Sequence, residues 1–226
     1  MKIAMIGGGT VGQTLGAALA ANGHDVAIGI RSVTAGELAK PRQNAATLAD
    51  WQAKTGAKVV TMAQAAAHGE IVFNATSGGA SLAALKLAGE ANLNGKVLVD
   101  VANPLDFSQG MPPFLISQYT GPTSLAEQIQ AAFPKAKVVK AFNTIAAAVM
   151  VNPALIPGDH DLFIAGNDAG AKKTVGDLAR REFGWKTIVD LGDIVGARGT
   201  ESLLPIWVRL WGVTGTHLIN LHLAKG

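Results

Sequence analysis

Short, nearly continuous apolar runs recur along the chain, separated by longer segments with helical spacing of apolar positions. The runs are Lys2 to Ile6, Asp25 to Ile30, Lys58 to Thr61, Ile71 to Ala75, Val97 to Val101, Val138 to Phe142, Phe163 to Ala165 and Thr187 to Asp190. Runs of this kind mark strands buried on both faces, and so a parallel sheet covered by helices. Helices fit between them over Gln13 to Asn22, Met62 to His68, Ser81 to Ala91, Ser124 to Phe133 and Ala169 to Phe183. The predicted fold class is α/β: a Rossmann-type doubly wound parallel sheet with a helical C-terminal extension.

Two segments break the pattern. Pro104 to Pro122 has no clear period and carries Gly110, Pro112, Pro113 and Gly121. A long loop after the fifth strand lies on the carboxyl side, where ligands bind, so it either covers the site or makes an ordinary excursion or dimer contact. The tail after Leu191 has no further strand and reads as helical from about Ala197 to the end. Trp207 and Trp211 lie four apart, on one helix face, where core or interface packing outweighs cofactor stacking. Leu203, Leu204, Ile206, Trp207, Leu210 and Trp211 form more apolar surface than one sheet can bury. They predict a homodimer through the C-terminal helical segment. Leu203 to Ala224 is long enough to cross a membrane, but Pro205, Arg209, His217, Asn220 and His222 interrupt it, which favours a buried or interface helix. With Lys2 already in a strand, no signal peptide is expected, and the reading is a cytoplasmic protein without a membrane partner.

Composition narrows the chemistry. The 226 residues are 49% apolar and 5% aromatic, enough core for an α/β domain with close helix packing. Cysteine is absent, which removes thiolate catalysis, disulfides and Cys-based metal sites. A net charge of +3 without a basic run argues against nucleic acid. His24, His68, His160, His217 and His222 are scattered, and the last two are wrongly spaced for a helical metal pair, so no metal site is expected.

The candidate chemistry begins at Gly7-Gly8-Gly9-Thr10-Val11-Gly12, directly after the first strand and before a helix. Gly7 allows the tight turn, Gly9 lets backbone approach a pyrophosphate, and Gly12 lets the helix pack on the strand. The helix N-terminus adds free N–H groups and a positive dipole end. At the end of the second strand, Ala27-Ile28-Gly29-Ile30-Arg31-Ser32 holds no acid that would receive the ribose hydroxyls of NAD. Arg31 pairs well with a 2′-phosphate, and Ser32 and Thr34 can add hydroxyl donors, so NADP(H) is the expected cofactor. Lys40 and Arg42 read as solvated charges with a weak added field. Residues 1–150 are assigned to an NADP-binding Rossmann domain and 151–226 to a small α/β extension ending in a helical segment.

Several motifs occur together: Gly7 to Gly12, Gly29-x-Arg31-Ser32, Lys140-Ala141-Phe142-Asn143-Thr144-Ile145, Asp190-Leu191-Gly192, Ala197-Arg198 and Glu201-Ser202-Leu203-Leu204-Pro205. In this order they resemble the NADP oxidoreductases that use the deazaflavin coenzyme F420. The NADPH-binding domain of the STEAP-type metalloreductases is similar in the same places. The resemblance implies hydride transfer between nicotinamide C4 and deazaflavin C5. It implies that Gly7, Gly9, Thr10, Val11 and Gly12 line the pyrophosphate, and that Arg31 and Ser32 hold the 2′-phosphate. Thr76, Ser77, Asn103, Pro104, Asn143 and Thr144 would frame the nicotinamide and its ribose, and Ala197 to Pro205 the flavin side. Ile30 replaces a Ser frequent in the family, and Asn143 a His frequent in the deazaflavin enzymes. F420, FMN and FAD therefore all stand as second substrates.

Such a transfer needs little from side chains beyond proximity, orientation and a dry site. Asn143 and Thr144 are the candidate catalytic residues, orienting nicotinamide or acceptor, and equally suit capping of a helix from about Ile145. Two alternatives remain at this point. One is reduction of a small carbonyl or imine, with Arg198, Glu201 or Tyr119 supplying the proton. The other is a non-catalytic NADPH sensor.

Overall fold

The computed structural model describes residues 1–42 and 44–226. The chain runs β1 (Lys2–Ile6), α1 (Thr10–Ala21), β2 (Asp25–Ile30), α2 (Ala35–Ala39), α3 (Leu48–Thr55), β3 (Lys58–Thr61), α4 (Met62–His68) and β4 (Ile71–Asn74). It continues through α5 (Gly78–Ala88), α6 (Glu90–Leu93) and β5 (Val97–Asp100) to a small hairpin, β6 (Leu105–Asp106) with β7 (Phe114–Leu115). Next come α7 (Leu125–Ala132), β8 (Lys137–Ala141), α8 (Ala147–Val151), β9 (Asp161–Gly166), α9 (Ala169–Leu178) and β10 (Thr187–Asp190). The last helices are α10 (Ala197–Ser202) and α11 (Leu204–Thr214).

Eight strands form one sheet in the order β10-β9-β8-β5-β4-β1-β2-β3, and the expected Rossmann architecture is present. Side chains alternate across it. Ile3 and Met5 of β1 join one apolar cluster with Leu15, Leu19 and Phe73, while Ala4 and Ile6 face the other cluster with Ala65, Leu85 and Leu98. Local chemistry sets the helix starts. Thr61 and Gln64 form a reciprocal capping box on α4, and the Ser124 and Asp168 side chains accept from Glu127 N and Ala171 N on α7 and α9.

Two expectations need correction. The sheet is mixed: β9 runs antiparallel to β8, with Val139 opposite Gly166, and β10 pairs parallel with β9. A parallel return requires a crossover helix that spans the sheet, and the five-residue α8 is too short to make one. The tail is not helical to its end. Gly215, with φ 69°, terminates α11 in the left-handed region. Beyond it the chain lies along the start of β9, where Asp161 N donates to Leu221 O at 2.9 Å and Leu223 N to the Asp161 carboxylate at 2.6 Å. His217 and His222 therefore lie outside any helix. Among the described residues no helix is long and apolar enough to cross a membrane.

Candidate nucleotide site

The sheet order reverses between β1 and β4, and the crevice outside the carboxyl ends of such strands is where α/β sheets bind ligands. The glycine loop stands there. Gly7 has φ 114°, and a Cβ on it would lie 2.6 Å from Ala75 O. A Cβ on Gly12 would lie 2.1 Å from Gly7 O. Around Gly9 there is nothing within 4 Å of the same position. Gly7 and Gly12 are thus held by the protein's own packing, while Gly9 borders open space. Gly9 is also the N-cap of α1 and offers no side chain to the first-turn N–H groups. A pyrophosphate fits this cradle: it has open space at Gly9 and lies at the positive end of the α1 dipole.

Gln13, which the motif does not specify, braces the loop. Its buried amide donates to Gly8 O at 3.1 Å and to Ala46 O at 2.9 Å, and its own carbonyl accepts from Trp51 Nε1 at 2.9 Å. Thr10 Oγ1 donates to Asn44 O at 3.2 Å, so this hydroxyl serves the loop as well.

Arg31 and Ser32 follow β2 and are exposed, whereas Ile30 is buried, which accounts for an apolar residue there. Thr34 caps α2 by accepting from Glu37 N. Arg42 is not the free surface charge expected from the sequence: its guanidinium bonds Glu37 Oε1 at 3.0 Å against α2.

Farther along the crevice is a pocket of 210 Å³ lined by Val11, Thr76, Ser77, Ala102, Asn103 and Phe107 among others. Asn103 closes it from one side and is clasped by Asn143. Its amide donates to Asn143 O at 2.7 Å, and Asn143 Nδ2 donates back to Asn103 Oδ1 at 3.0 Å and to Thr200 O at 3.1 Å. Phe142 makes this possible by turning the chain at φ 65°, a conformation that costs a bulky residue roughly 1–3 kcal/mol. Its ring is held edge-on against Phe183, with centroids 6.0 Å apart. Pro104 packs against Gly78, whose added Cβ would stand 2.6 Å from Pro104 Cα. Thr144 is buried beside Asn143. Neither caps a helix: α8 starts at Ala147, with Ala146 as its N-cap. The structure thus brings Val11, Thr76, Ser77 and Asn103 to one pocket, places Asn143 behind Asn103, and leaves Arg31 and Ser32 at the end of β2.

Beneath this pocket is a charged cluster that motif reading missed. Lys140 Nζ lies 2.8 Å from Asp100 Oδ2 and 2.9 Å from Glu201 Oε1, with all three side chains buried. Glu201 also accepts from Leu125 N and Ala126 N at the start of α7, at 2.8 and 3.1 Å. Asp100 Oδ1 accepts from Asn74 Nδ2 at 2.7 Å, and Asn74 Oδ1 accepts from Thr76 Oγ1 at 2.7 Å. Burial alone would lower the Lys140 pKa, but the two carboxylates outweigh it and raise the value. The sequence signal was the presence of Lys140 and Asp100 inside otherwise apolar strands, where a charge must find a partner. Arg198 is committed to a two-pronged pair with Glu127, at 2.8 and 2.6 Å. That guanidinium holds the Glu127 carboxyl below its ordinary range. Arg198, Glu201 and Tyr119, considered as proton donors to a carbonyl, do not line the pocket.

Comparison with known proteins places these features. Residues 2–104 match the family model described as NADP oxidoreductase, coenzyme F420-dependent. The F420-dependent NADP reductase of Methanocaldococcus jannaschii is 31% identical over 93% of this chain and 92% of its own length. A crystal structure from Arthrobacter sp. FB24, provisionally named an F420-dependent NADP reductase, is 48% identical, covers all of both chains, and superposes with a TM-score of 0.93. The rat metalloreductase STEAP3 is 30% identical over 91% of this chain, which spans only 38% of that protein's length. The chain belongs to the coenzyme F420-dependent NADP oxidoreductase family and is an NADP-dependent oxidoreductase.

Proposed function

We propose that this protein transfers hydride between NADP(H) and a deazaflavin of the F420 type. One observation carries the reading: a glycine cradle open at Gly9 continues into a pocket walled by Thr76 and Asn103, in a chain that aligns over 92% of an F420-dependent NADP reductase. When bound, the two ring systems supply the chemistry. That chemistry would be hydride exchange between nicotinamide C4 and deazaflavin C5, with a proton drawn from solvent for the reduced deazaflavin. The protein's own groups bind, orient and exclude water. Gly7, Gly9, Thr10, Val11 and Gly12 would line the pyrophosphate, Gly7 as the turn whose N–H is engaged on Gly29 O and Gly9 as the open approach. Thr76, Ser77, Asn103 and Pro104 would frame the nicotinamide, and Asn143 holds Asn103 from behind, with Thr144 buried beside it. Residues 1–150 carry the nucleotide, and the 151–226 extension contributes α10 to the acceptor side. The test is NADPH oxidation against F420, FMN, FAD and ferric chelates. Turnover with F420 well above the others is expected, and turnover confined to the ferric chelates overturns the acceptor assignment.

Arg31 and Ser32 hold the 2′-phosphate, while Arg42 is paired with Glu37 and adds little field. A hydrogen bond to a charged group contributes about 1.5–3 kcal/mol. Arg31→Ala should therefore reduce the preference for NADPH over NADH roughly ten- to a hundredfold, read as the ratio of kcat/KM values. An unchanged ratio rules this residue out.

The protein acts as a homodimer through α11. Ile206 is 57% exposed and Trp211 is 40% exposed on that helix, an apolar face that solvent tolerates poorly. Light scattering should give twice the chain mass of 23.2 kDa. The double variant Ile206→Glu/Trp211→Glu should give the single mass, and a monomeric wild type refutes the proposal.

A further inference from the structure

The buried cluster of Asp100, Lys140 and Glu201 has no part in the hydride transfer described above, and its charges do not cancel. Two carboxylates face one ammonium. Among the described residues the other partners of those carboxylates are N–H donors: Asn74 Nδ2 and Ala102 N to Asp100, Leu125 N and Ala126 N to Glu201. Only donors surround them, which is the environment an anion requires. Lys140 offsets one carboxylate. The N-terminus of α7, equivalent to roughly half a positive charge, offsets part of Glu201. A residual negative charge is left under the carboxyl ends of β4, β5 and β8.

That charge is close to the pocket and shielded from water. Asp100 bonds directly to Ala102 N, and through Asn74 to Thr76, and both Ala102 and Thr76 line the pocket. Asp100 and Lys140 are completely buried, so solvent and salt screen their field little. The oxidised and reduced forms of the dinucleotide share the same phosphates. They differ by one positive charge on the nicotinamide ring.

We propose that this buried negative charge makes the pocket discriminate between the two redox forms, holding NADP+ more tightly relative to NADPH than a neutral floor would. The inference rests on the pocket receiving the nicotinamide, as argued under the proposed function. Tighter binding of the oxidised form makes the bound pair a stronger reductant and biases the enzyme towards hydride donation from NADPH. Asp100 and Glu201 act through this field without touching the ligand.

The test is a calorimetric titration of wild type, Asp100→Asn and Glu201→Gln with NADPH and, separately, with NADP+. Each variant removes one negative charge. The Kd for NADP+ divided by that for NADPH should rise roughly three- to tenfold in Asp100→Asn, the effect of a unit charge acting across a thin layer of protein. The rise should be smaller in Glu201→Gln, whose charge the helix already moderates. General loosening of the fold weakens both forms alike and leaves the ratio still. An unchanged ratio in a variant that binds NADPH overturns the proposal, and so does loss of both ligands in both variants, which marks the cluster as scaffold only. Failure of the wild type to bind NADPH at all instead sinks the nucleotide assignment.

Discussion

Gly9→Val leaves the folded state intact and removes NADPH binding, whereas Gly12→Val damages both. The two glycines are three residues apart in one loop, yet their surroundings differ. Gly9 has φ −82° and ψ −170°, an extended conformation open to any residue, and nothing within 4 Å of an added Cβ. Its side chain would enter only the space reserved for the pyrophosphate. Two charge-assisted N–H contacts, at about 1.5–3 kcal/mol each, amount to a loss of at least roughly a hundredfold in affinity. A valine at Gly12 would instead drive its Cβ into Gly7 O at 2.1 Å. Gly7 O is backbone and cannot swing aside, so α1 must move off β1, and overpacking of this kind costs about 1–3 kcal/mol or more. Thermal unfolding should separate the variants by several degrees, with Gly9→Val overlying the wild type. Calorimetry should detect NADPH binding in neither. Wild-type affinity in Gly9→Val would place the pyrophosphate elsewhere.

The contrast also explains why parts of this protein were readable in its sequence. The glycine loop is legible because strand, turn and helix are contiguous, and each glycine answers a local steric demand. The buried runs of β1, β2 and β4 are legible because being covered on both faces removes polar positions. Strand direction is different. Nothing within Asp161–Gly166 says that β9 opposes β8, since that depends on whether the intervening helix can span the sheet. The tail misled for a related reason. Its apolar spacing past Gly215 matches a helix, but Asp161 offers hydrogen bonds at the start of β9 that an irregular strand satisfies and a helix would not. Glu201 illustrates a third limit. It was visible as part of a motif and considered as a proton donor, yet its partner Lys140 and the second acid that Lys140 holds, Asp100, lie on separate strands. Long-range ion pairing leaves only the trace of a charge where burial was expected.

That trace carries the largest expected stability change. Lys140→Met should destabilise the protein by about 3–5 kcal/mol, because methionine fills the volume but leaves Asp100 and Glu201 buried without a cation. The loss should appear as a lower urea midpoint with an unchanged slope, since the surface exposed on unfolding is the same. Its pH dependence identifies the cause. In the wild type the Lys140 pKa is raised above its ordinary value of 10.5. A raised cationic group contributes its full stability below the unfolded value and loses it as pH climbs through the folded value. The wild-type advantage is therefore complete at neutral pH and shrinks only above about 10.5. The gap between the proteins should therefore hold steady through neutral pH and close as pH climbs past 10.5. A difference under about 1 kcal/mol that stays flat with pH would mean that Lys140 is a packing residue, and that the charges around it are neutralised by something other than the ion pairs seen here.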